Sequence, residues 1–307
     1  MDGILVLNKP KGLTSHDCVF KIRKILRTKK VGHTGTLDPD VTGVLPICIG
    51  RGTKVVEYLT NHSKTYEGEV TLGLSTTTED ASGDAVEQKK VTHTFSRKQV
   101  LDMLASLTGT IQQTPPMYSA VKVNGKKLYE YARAGIEVER PSRDITIHEL
   151  TLLDEREEFS GETISFRFRV HCSKGTYVRT LAVMMGERLG YPAHMSDLIR
   201  TASGEFTLQD CLTFEQIEHS MEEGTIQEHL LPIEKALNHL PKWVISDTLA
   251  EKVKNGAVLS KPDEITDAEQ LIRVMDERGQ VLAIYQVHPT KEDKIKPVKV
   301  LAIHTED

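Results

Sequence analysis

One nine-residue run alternates strictly between apolar and polar side chains, and this period restricts the fold more than any other feature of the chain. Its apolar positions are Ile164, Phe166, Phe168, Val170 and Cys172. A second run, TYEGEVTLGL at 65–74, places Tyr66, Val70, Leu72 and Leu74 on one parity. Side chains of a strand alternate between its two faces, so both runs predict half-buried strands.

Helical patterns lie between the predicted strands. Thr14 with Asp17, and Ser96 with Gln99, have the spacing of a capping box, in which each side chain bonds the backbone N–H of the other residue. Apolar residues at helical spacing follow both pairs, and a third such set at 181–189 ends at a glycine. We predict an α+β fold with a mixed, mostly antiparallel sheet flanked by helices.

The pattern changes after about residue 240. Short β-prone runs at Leu271–Met275, Val281–Val287 and Val298–Ile303 are separated by polar, charged turns. A chain of 307 residues is too long for one ordinary core. We therefore expect a large domain at 1–240 and a small β-rich domain at 241–307.

Several classes of protein do not fit this sequence. No apolar run approaches the length of a membrane span, and the N-terminus lacks the pattern of a signal peptide, so we expect a cytoplasmic protein. The four cysteines form no CxxC pair, and the twelve histidines form no HExxH motif. We therefore expect no metal site.

The charge of the chain is informative mainly through its distribution. The 39 basic and 44 acidic residues give a net charge of −5, which alone counts against a nucleic-acid partner. Basic side chains are nevertheless concentrated at 21–30 and 121–127. The first segment is equally compatible with a solvated helix face and with a phosphate-binding face.

Residues 31–54 are dense in glycine, threonine and proline, which predicts a structured loop leading into a short strand or helix. Asp38 precedes Pro39 in this segment, and an Asp-Pro pair often only begins a turn. Such loops also hold side chains against ligands. The segment lacks the GxxxxGK[ST] motif of a phosphate loop, and Gly32 occupies the position where an aspartyl-phosphate loop needs its aspartate.

Five segments resemble, in order, the motifs of the TruB-type pseudouridine synthases, the bacterial family that modifies uridine 55 of tRNA. The departures, at 40–42 and 182–185, touch none of the residues that carry chemistry in the family. The matching segments are NKPKGLTS (8–15), GHTGTLDPDVTGVLPICIG (32–50), SAVKVNGKKLYEYARAG (119–135), HCSKGTYVRTLAVMMGERLG (171–190) and LIRTASG (198–204).

The resemblance implies a role for five side chains. Asp38 matches the nucleophile, Arg179 its partner, and Tyr66 the residue that stacks on the target base. His33 matches a histidine near the flipped base, and Leu198 an apolar residue of the base pocket. From their patterns alone, Tyr66 and Leu198 also fit a core, Arg179 a surface ion pair, and His33 a loop hydrogen bond.

The resemblance also implies the reaction and the partner. Uridine 55 in the T-loop of tRNA would be isomerised to pseudouridine by a monomer without cofactor or metal. The base must be extruded, at about a few kcal/mol, and RNA contacts must supply that energy. We expect those contacts at 21–30, at an RNA-gripping insertion at about 110–144, and in a C-terminal domain that resembles the PUA fold. A tRNA-folding chaperone and a synthase of an RNA-guided complex remain alternatives.

Overall fold

The computed structural model describes residues 1–263, 265 and 270–302, and its elements alternate between strands and short helices. The strands are β1 (Gly3–Lys9), β2 (Val31–His33), β3 (Thr42–Ile49), β4 (Lys64–Leu72), β5 (Leu74–Thr76), β6 (Ala85–Gln88), β7 (Phe95–Ser96), β8 (Gly109–Gln113), β9 (Lys122–Val123), β10 (Lys126–Lys127), β11 (Arg143–Leu152), β12 (Glu158–Phe159), β13 (Ile164–Cys172), β14 (Ala193–Ser203), β15 (Phe206–Thr207), β16 (Lys242–Val244), β17 (Leu259–Ser260), β18 (Ile272–Met275), β19 (Val281–His288) and β20 (Lys291–Val300). The α-helices are α1 (Ser15–Ile25), α2 (Val56–Thr60), α3 (Arg97–Ser106), α4 (Leu128–Arg133), α5 (Val178–Leu189), α6 (Phe214–Glu223) and α7 (Asp247–Lys254).

A nine-stranded sheet forms the centre of the molecule. Its order is β1-β3-β14-β4-β13-β11-β8, with β2 beside β3 and β15 beside β14. β14 and β3 are parallel, and the other neighbours in this sheet are antiparallel. The predicted fold class, α+β with a mixed and mostly antiparallel sheet, is confirmed.

The two alternating runs form neighbouring strands at the middle of the sheet. β13 spans the predicted nine residues and pairs with β4, with Val170 opposite Tyr66. The apolar parity of both strands faces the largest core cluster, as predicted. Leu74 is an exception, because Gly73 has a φ of 106°, which ends β4 and leaves Leu74 half-buried in β5.

Three helices begin or end at the residues that their capping signals predict. Thr14 caps α1 and Ser96 caps α3, and both capping boxes are present. α5 ends at Gly190, which has the left-handed conformation. Buried apolar side chains of α1, α3, α5 and α6 belong to the same core cluster as those of β4 and β13.

The segment at 31–54 has more regular structure than the predicted loop that leads into a short strand or helix. β3 is eight residues long and almost wholly buried despite its central proline. Its alternate side chains enter two core clusters, with Leu45 and Ile47 in one and Val44 and Cys48 in the other. A strand buried on both faces shows no alternation in sequence, and the irregular loop is confined to residues 34–41.

A second, five-stranded sheet lies at the C-terminal end, with the order β16-β18-β19-β20-β17. The small β-rich unit is therefore present, although β20 begins seven positions before the predicted run, and Ile303 lies outside the described residues. Val281 and Ile284 of this sheet share a core cluster with Ile4 and Val6. A domain boundary at residue 240 stays a prediction.

The predicted insertion leaves the sheet between β8 and β11, whose residues pair with each other. We call residues 114–142 the excursion. It contains the β9–β10 hairpin, in which Asn124 and Gly125 both have positive φ, as an Asn-Gly turn predicts. None of the helices in the described part of the chain has the length and hydrophobicity that a membrane crossing requires.

Candidate active site

Asp38 lies in the loop at 34–41, which we call the catalytic loop and which hydrogen bonds from distant residues hold in place. The Ser15 hydroxyl at the start of α1 donates to the Leu37 carbonyl at 3.2 Å. The same oxygen accepts the Leu37 N–H at 2.9 Å. Both backbone groups of the residue before Asp38 are therefore fixed.

The residue after Asp38 is fixed in a similar way. Lys9 is fully buried at the end of β1, and its Nζ donates to the Pro39 carbonyl at 2.9 Å. The Gly12 N–H donates to the same carbonyl at 2.8 Å. Burial lowers the pKa of Lys9, and the negative charge of Asp38 is among the effects that oppose this shift.

Arg200 of β14 holds the first part of the catalytic loop. Its side chain is 1% exposed, donates from Nε to the Val44 carbonyl at 2.7 Å, and donates from Nη2 to the Gly35 carbonyl at 3.0 Å. Gly35 has a φ of +68°, and a Cβ there would lie 3.3 Å from Arg200 Nη1. Among the described residues, no carboxylate forms an ion pair with Arg200. A buried charge without a counter-ion is costly and is a frequent sign of a functional site.

Asp38 forms an ion pair with Arg179 of α5. Asp38 Oδ2 lies 2.9 Å from Arg179 Nε, and Asp80 Oδ2 lies 3.9 Å from the same nitrogen. The side chain of Arg179 is 5% exposed and that of Asp38 is 41% exposed, so the carboxylate opens to solvent while its partner is buried. The surrounding protein still removes part of the water around this partly exposed carboxylate, and this desolvation raises the pKa of Asp38; Arg179 opposes the rise, and the negative charge of Asp80 adds to it.

The other Arg179 nitrogens bind two further segments. Nη1 donates to the Thr78 carbonyl at 2.8 Å, and Nη2 donates to the Tyr118 carbonyl at 2.9 Å. One guanidinium thus joins α5, the catalytic loop, the turn after β5 and the excursion. The surface ion pair that the sequence left open for Arg179 is excluded by this burial.

Tyr66 and Leu198 lie on the same face of the sheet. Tyr66 is opposite Arg200 in the β4–β14 pair, and Leu198 is opposite Gly68. A Cβ on Gly68 would lie 2.9 Å from Leu198 Cδ1, so the glycine makes room for the apolar side chain. Both side chains are largely buried. Burial raises the pKa of the Tyr66 phenol, and the charge and hydrogen bond of Arg200 oppose the rise.

His33 ends β2 beside the catalytic loop. Its buried Nδ1 has no hydrogen-bond partner within the part of the chain that the structure describes. Burial lowers the pKa of His33, and the positive charges of Arg200 and His16 lower it further. A neutral imidazole with an unused nitrogen suits hydrogen bonding to a ligand more than acid catalysis.

The structure brings Asp38, Arg179 and Tyr66 into one neighbourhood, and it adds Asp80, Lys9 and Arg200, which sequence reasoning did not assign. Lys9 and Arg200 lie inside the matched motifs, but their burial and their contacts with the loop exist only in the folded structure. Asp80 lies in a polar loop without a distinguishing signal. Within the described residues, no group of three or more His, Cys, Asp or Glu side chains could hold a metal ion.

Comparison with protein families gives two matches. The model described as TruB family pseudouridylate synthase (N terminal domain) matches residues 23–178, and that described as tRNA pseudouridylate synthase B C-terminal domain matches residues 179–238. A tRNA pseudouridine synthase B from Bacillus cytotoxicus is 63% identical over 306 residues, covering 100% of this chain and 99% of that relative. One from Bacillus subtilis is 63% identical over 303 residues, covering 98% of each.

Solved structures agree with these matches. One titled "Crystal Structure of a Cbf5-Nop10-Gar1 Complex" has a TM-score of 0.73 and 29% identity, covering 98% of this chain and 85% of that chain. One titled "Structure of H/ACA RNP bound to a substrate RNA containing 2'-deoxyuridine" has a TM-score of 0.72 and 26% identity at the same coverage. The fold is that of a pseudouridylate synthase. Within that class, the chain belongs to the TruB family.

Proposed function

We propose that this protein isomerises uridine 55 in the T-loop of tRNA to pseudouridine, with Asp38 as the nucleophile. The observation that carries the proposal is the 2.9 Å ion pair between Asp38 and the buried Arg179, on a loop whose backbone is fixed on both sides of the aspartate. The name of the Bacillus relatives, which match over their full length, supports tRNA as the substrate.

The proposed reaction is balanced without an external reagent. The N1–C1′ bond of uridine breaks, the uracil rotates, and a C5–C1′ bond forms. The proton lost from C5 is replaced by one gained at N1, so neither redox chemistry nor an energy source is required. Attack by Asp38 at C1′, attack at C6, and proton abstraction at C2′ all require an ionised carboxylate beside the nucleoside.

Arg179 favours the ionised form of that carboxylate. Desolvation favours the protonated form of Asp38, and the nearby Asp80 acts in the same direction. The guanidinium acts in the opposite direction through its charge and its hydrogen bond. Because Arg179 also donates to two backbone carbonyls, its position is set independently of Asp38.

The neighbouring side chains suit a rotating uracil. In our proposal the ring of Tyr66 stacks on the flipped base, and Leu198 forms the apolar wall of its pocket. His33 offers its free nitrogen to the flipped nucleotide. Extrusion of the base costs about a few kcal/mol, and contacts to the RNA backbone supply this energy.

We place those contacts on α1, the excursion and the C-terminal sheet. Lys21 of α1 already lies 3.8 Å from Glu218 and over the ring of Phe214, so it is less available than the rest of the basic segment. Lys24 is exposed on the same helix, and Lys122 and Lys126 are exposed on the β9–β10 hairpin. A monomer with the T-arm stem-loop as its ligand is the arrangement that we propose.

Two alternatives make different demands on the molecule. A tRNA-folding chaperone needs the RNA surface but not an ionised Asp38 beside a buried arginine. A synthase of an RNA-guided complex needs partner molecules, and the titles of the two solved structures name an RNP and a complex of three components. The relatives that match at 63% identity over their full length carry the name tRNA pseudouridine synthase B, which supports tRNA as the substrate.

Incubation with an unmodified tRNA transcript, followed by mapping of pseudouridine along it, tests the proposal. We expect one modified position, uridine 55, in the intact tRNA and in the isolated T-arm stem-loop. Modification at other positions, or a requirement for a guide RNA, would contradict it.

A further inference from the structure

The first turn of α5, which carries Arg179, is held by side chains from other segments. Its N-cap residue, Tyr177, makes no side-chain capping bond. The buried Gln113 at the end of β8 takes over part of this task. Its Oε1 accepts the Tyr177 N–H at 2.8 Å, and its Nε2 donates to the Tyr177 carbonyl at 3.0 Å.

A second side chain reaches this turn from the segment after β5. The Thr180 hydroxyl donates to Glu79 Oε2 at 2.6 Å. Thr180 directly follows Arg179 and lies in the first turn of the helix, where a carboxylate is electrostatically favourable. Glu79, which lies in a different segment, therefore stabilises the first turn of a helix whose own N-cap residue makes no side-chain capping bond.

The backbone of Glu79 has an unusual conformation. Its φ is +64°, and only two other described non-glycine residues have a positive φ. This left-handed conformation is disfavoured for a residue with a Cβ, and such residues are concentrated at functional sites. The turn is also tied to β14, because the Met195 N–H donates to the Glu79 carbonyl at 3.0 Å.

At the left-handed turn formed by Glu79, three successive residues, 78–80, face two successive residues of α5, 179 and 180. The Thr78 carbonyl accepts Arg179 Nη1 at 2.8 Å, Glu79 accepts Thr180, and Asp80 lies 3.9 Å from Arg179 Nε. The turn at Glu79 therefore coincides with the point where all three groups face the same helix turn.

We propose that Glu79 is a positioning residue for the reaction: its carboxylate, through Thr180, fixes the helix turn that aims Arg179 at Asp38. The inference rests on the proposed role of Arg179 as the partner of the nucleophile. Glu79 itself touches none of the reacting groups. It acts on the orientation of the guanidinium, and therefore on kcat and not on binding of the RNA.

The test measures kcat and KM on a T-arm stem-loop for variants on both sides of the bond. Glu79→Ala and Thr180→Val should each lower kcat about tenfold, because small displacements of catalytic groups are costly. KM should change less than about twofold, since the RNA surface is untouched. Glu79→Gln and Thr180→Ser keep an acceptor and a donor, so both should restore most of the lost kcat.

Two further variants test whether the loss of kcat comes from the Glu79 carboxylate or from its backbone conformation, and whether the two single substitutions act through the same bond. Glu79→Gly relieves the left-handed strain but lacks the carboxylate, so its kcat should remain as low as that of Glu79→Ala. The double variant Glu79→Ala/Thr180→Val should lose no more than the worse single variant, because both remove one bond. Melting temperatures show whether each variant is folded under the assay conditions.

Wild-type kcat in Glu79→Ala, full activity in Glu79→Gly, or multiplied losses in the double variant would each overturn the inference. Asp38→Asn, measured alongside, distinguishes this failure from that of the proposed function. An inactive Asp38→Asn together with a fully active Glu79→Ala removes only the role of Glu79. An active Asp38→Asn removes the proposed function.

Discussion

The catalytic loop and the excursion are both irregular, and both contact Arg179, yet the protein holds them in different ways. The catalytic loop is fixed by Ser15, Lys9 and Arg200, and two of these are fully buried cations. The excursion is mostly exposed, and in it Pro115, Pro116, Ser119 and Leu128 are buried.

The difference indicates a division of tasks. The proposed nucleophile, Asp38, must be held in position before the substrate arrives, and buried cations fix the loop that carries it. The proposed RNA surface can take part of its order from its ligand, and its lysines stay in solvent until they neutralise RNA phosphates and release the counter-ions of the RNA. Substitutions in the first region should therefore change kcat, and those in the second should change affinity.

The largest expected effect is at Arg179, where the two regions meet. Arg179→Ala should lower kcat about 10³-fold, because it leaves Asp38 without its counter-charge and removes the hydrogen bonds to the turn after β5 and to the excursion. The Kd for the stem-loop should rise less than about threefold. Arg188→Ala, an exposed arginine on the same helix, serves as the control. Equal losses in kcat and affinity would instead mean that Arg179 binds phosphate.

Arg200 tests whether the catalytic loop depends on a buried cation. Arg200→Lys keeps the charge, but an ammonium cannot reproduce the two directed bonds to Val44 and Gly35. We expect a loss of about 10-fold to 100-fold in kcat with little change in Kd, because the loop that carries Asp38 shifts. The exposed Arg167→Lys on β13 is the matched control. An unchanged kcat would show that the loop holds its own shape.

The hairpin of the excursion should show the opposite pattern. Lys122→Glu/Lys126→Glu should raise the Kd for the T-arm about tenfold or more. The slope of log Kd against log salt should become shallower by about one unit for each phosphate that the hairpin no longer neutralises. The kcat at saturating RNA should be unchanged. Lys90→Glu/Lys98→Glu reverses two exposed lysines outside the excursion, so it makes the same change in net charge and serves as the control. An unchanged salt slope would remove the hairpin from the RNA surface.

The smallest effect concerns stability. The pKa of Asp38 is raised above its ordinary value of 3.8, so the folded state binds the proton more tightly than the unfolded state does. Folding stability from this group is therefore lost as pH rises through the folded pKa. Asp38→Asn should melt at a slightly higher temperature than the wild type at neutral pH, and this gain should disappear as the pH falls to 3.8 or below. A melting temperature of Asp38→Asn below that of the wild type at neutral pH would contradict this prediction.

The two regions were also unequally predictable from the sequence. Half-buried strands and capped helices follow from local patterns, and β4, β13, α1 and α3 lie where those patterns place them. The length of β3 was underestimated because a strand buried on both faces shows no alternation of apolar and polar residues. The length of β20 was underestimated because four lysines interrupt its apolar residues. The β9–β10 hairpin could be predicted from its two turn residues, Asn124 and Gly125, alone.

The candidate site shows the same limit. The family resemblance assigns roles to Asp38, Tyr66 and Arg179, and the structure places Asp38 against Arg179 and within electrostatic reach of Tyr66; the roles stay predictions. Arg200 and Glu79 were not identified, because each acts on a backbone or side chain far away in sequence. No pattern of neighbouring residues signals that a β14 arginine binds the carbonyl of Gly35, since that contact exists only after the sheet has formed.

The most direct test of Asp38 as nucleophile is single-turnover conversion of a T-arm stem-loop by Asp38→Asn, with binding measured on the same RNA. The isosteric amide keeps the shape of the side chain but has neither charge nor nucleophilicity. We expect no pseudouridine over times in which the wild type converts all of the RNA, with Kd unchanged within about threefold. Pseudouridine formation by Asp38→Asn at the wild-type rate would contradict this account.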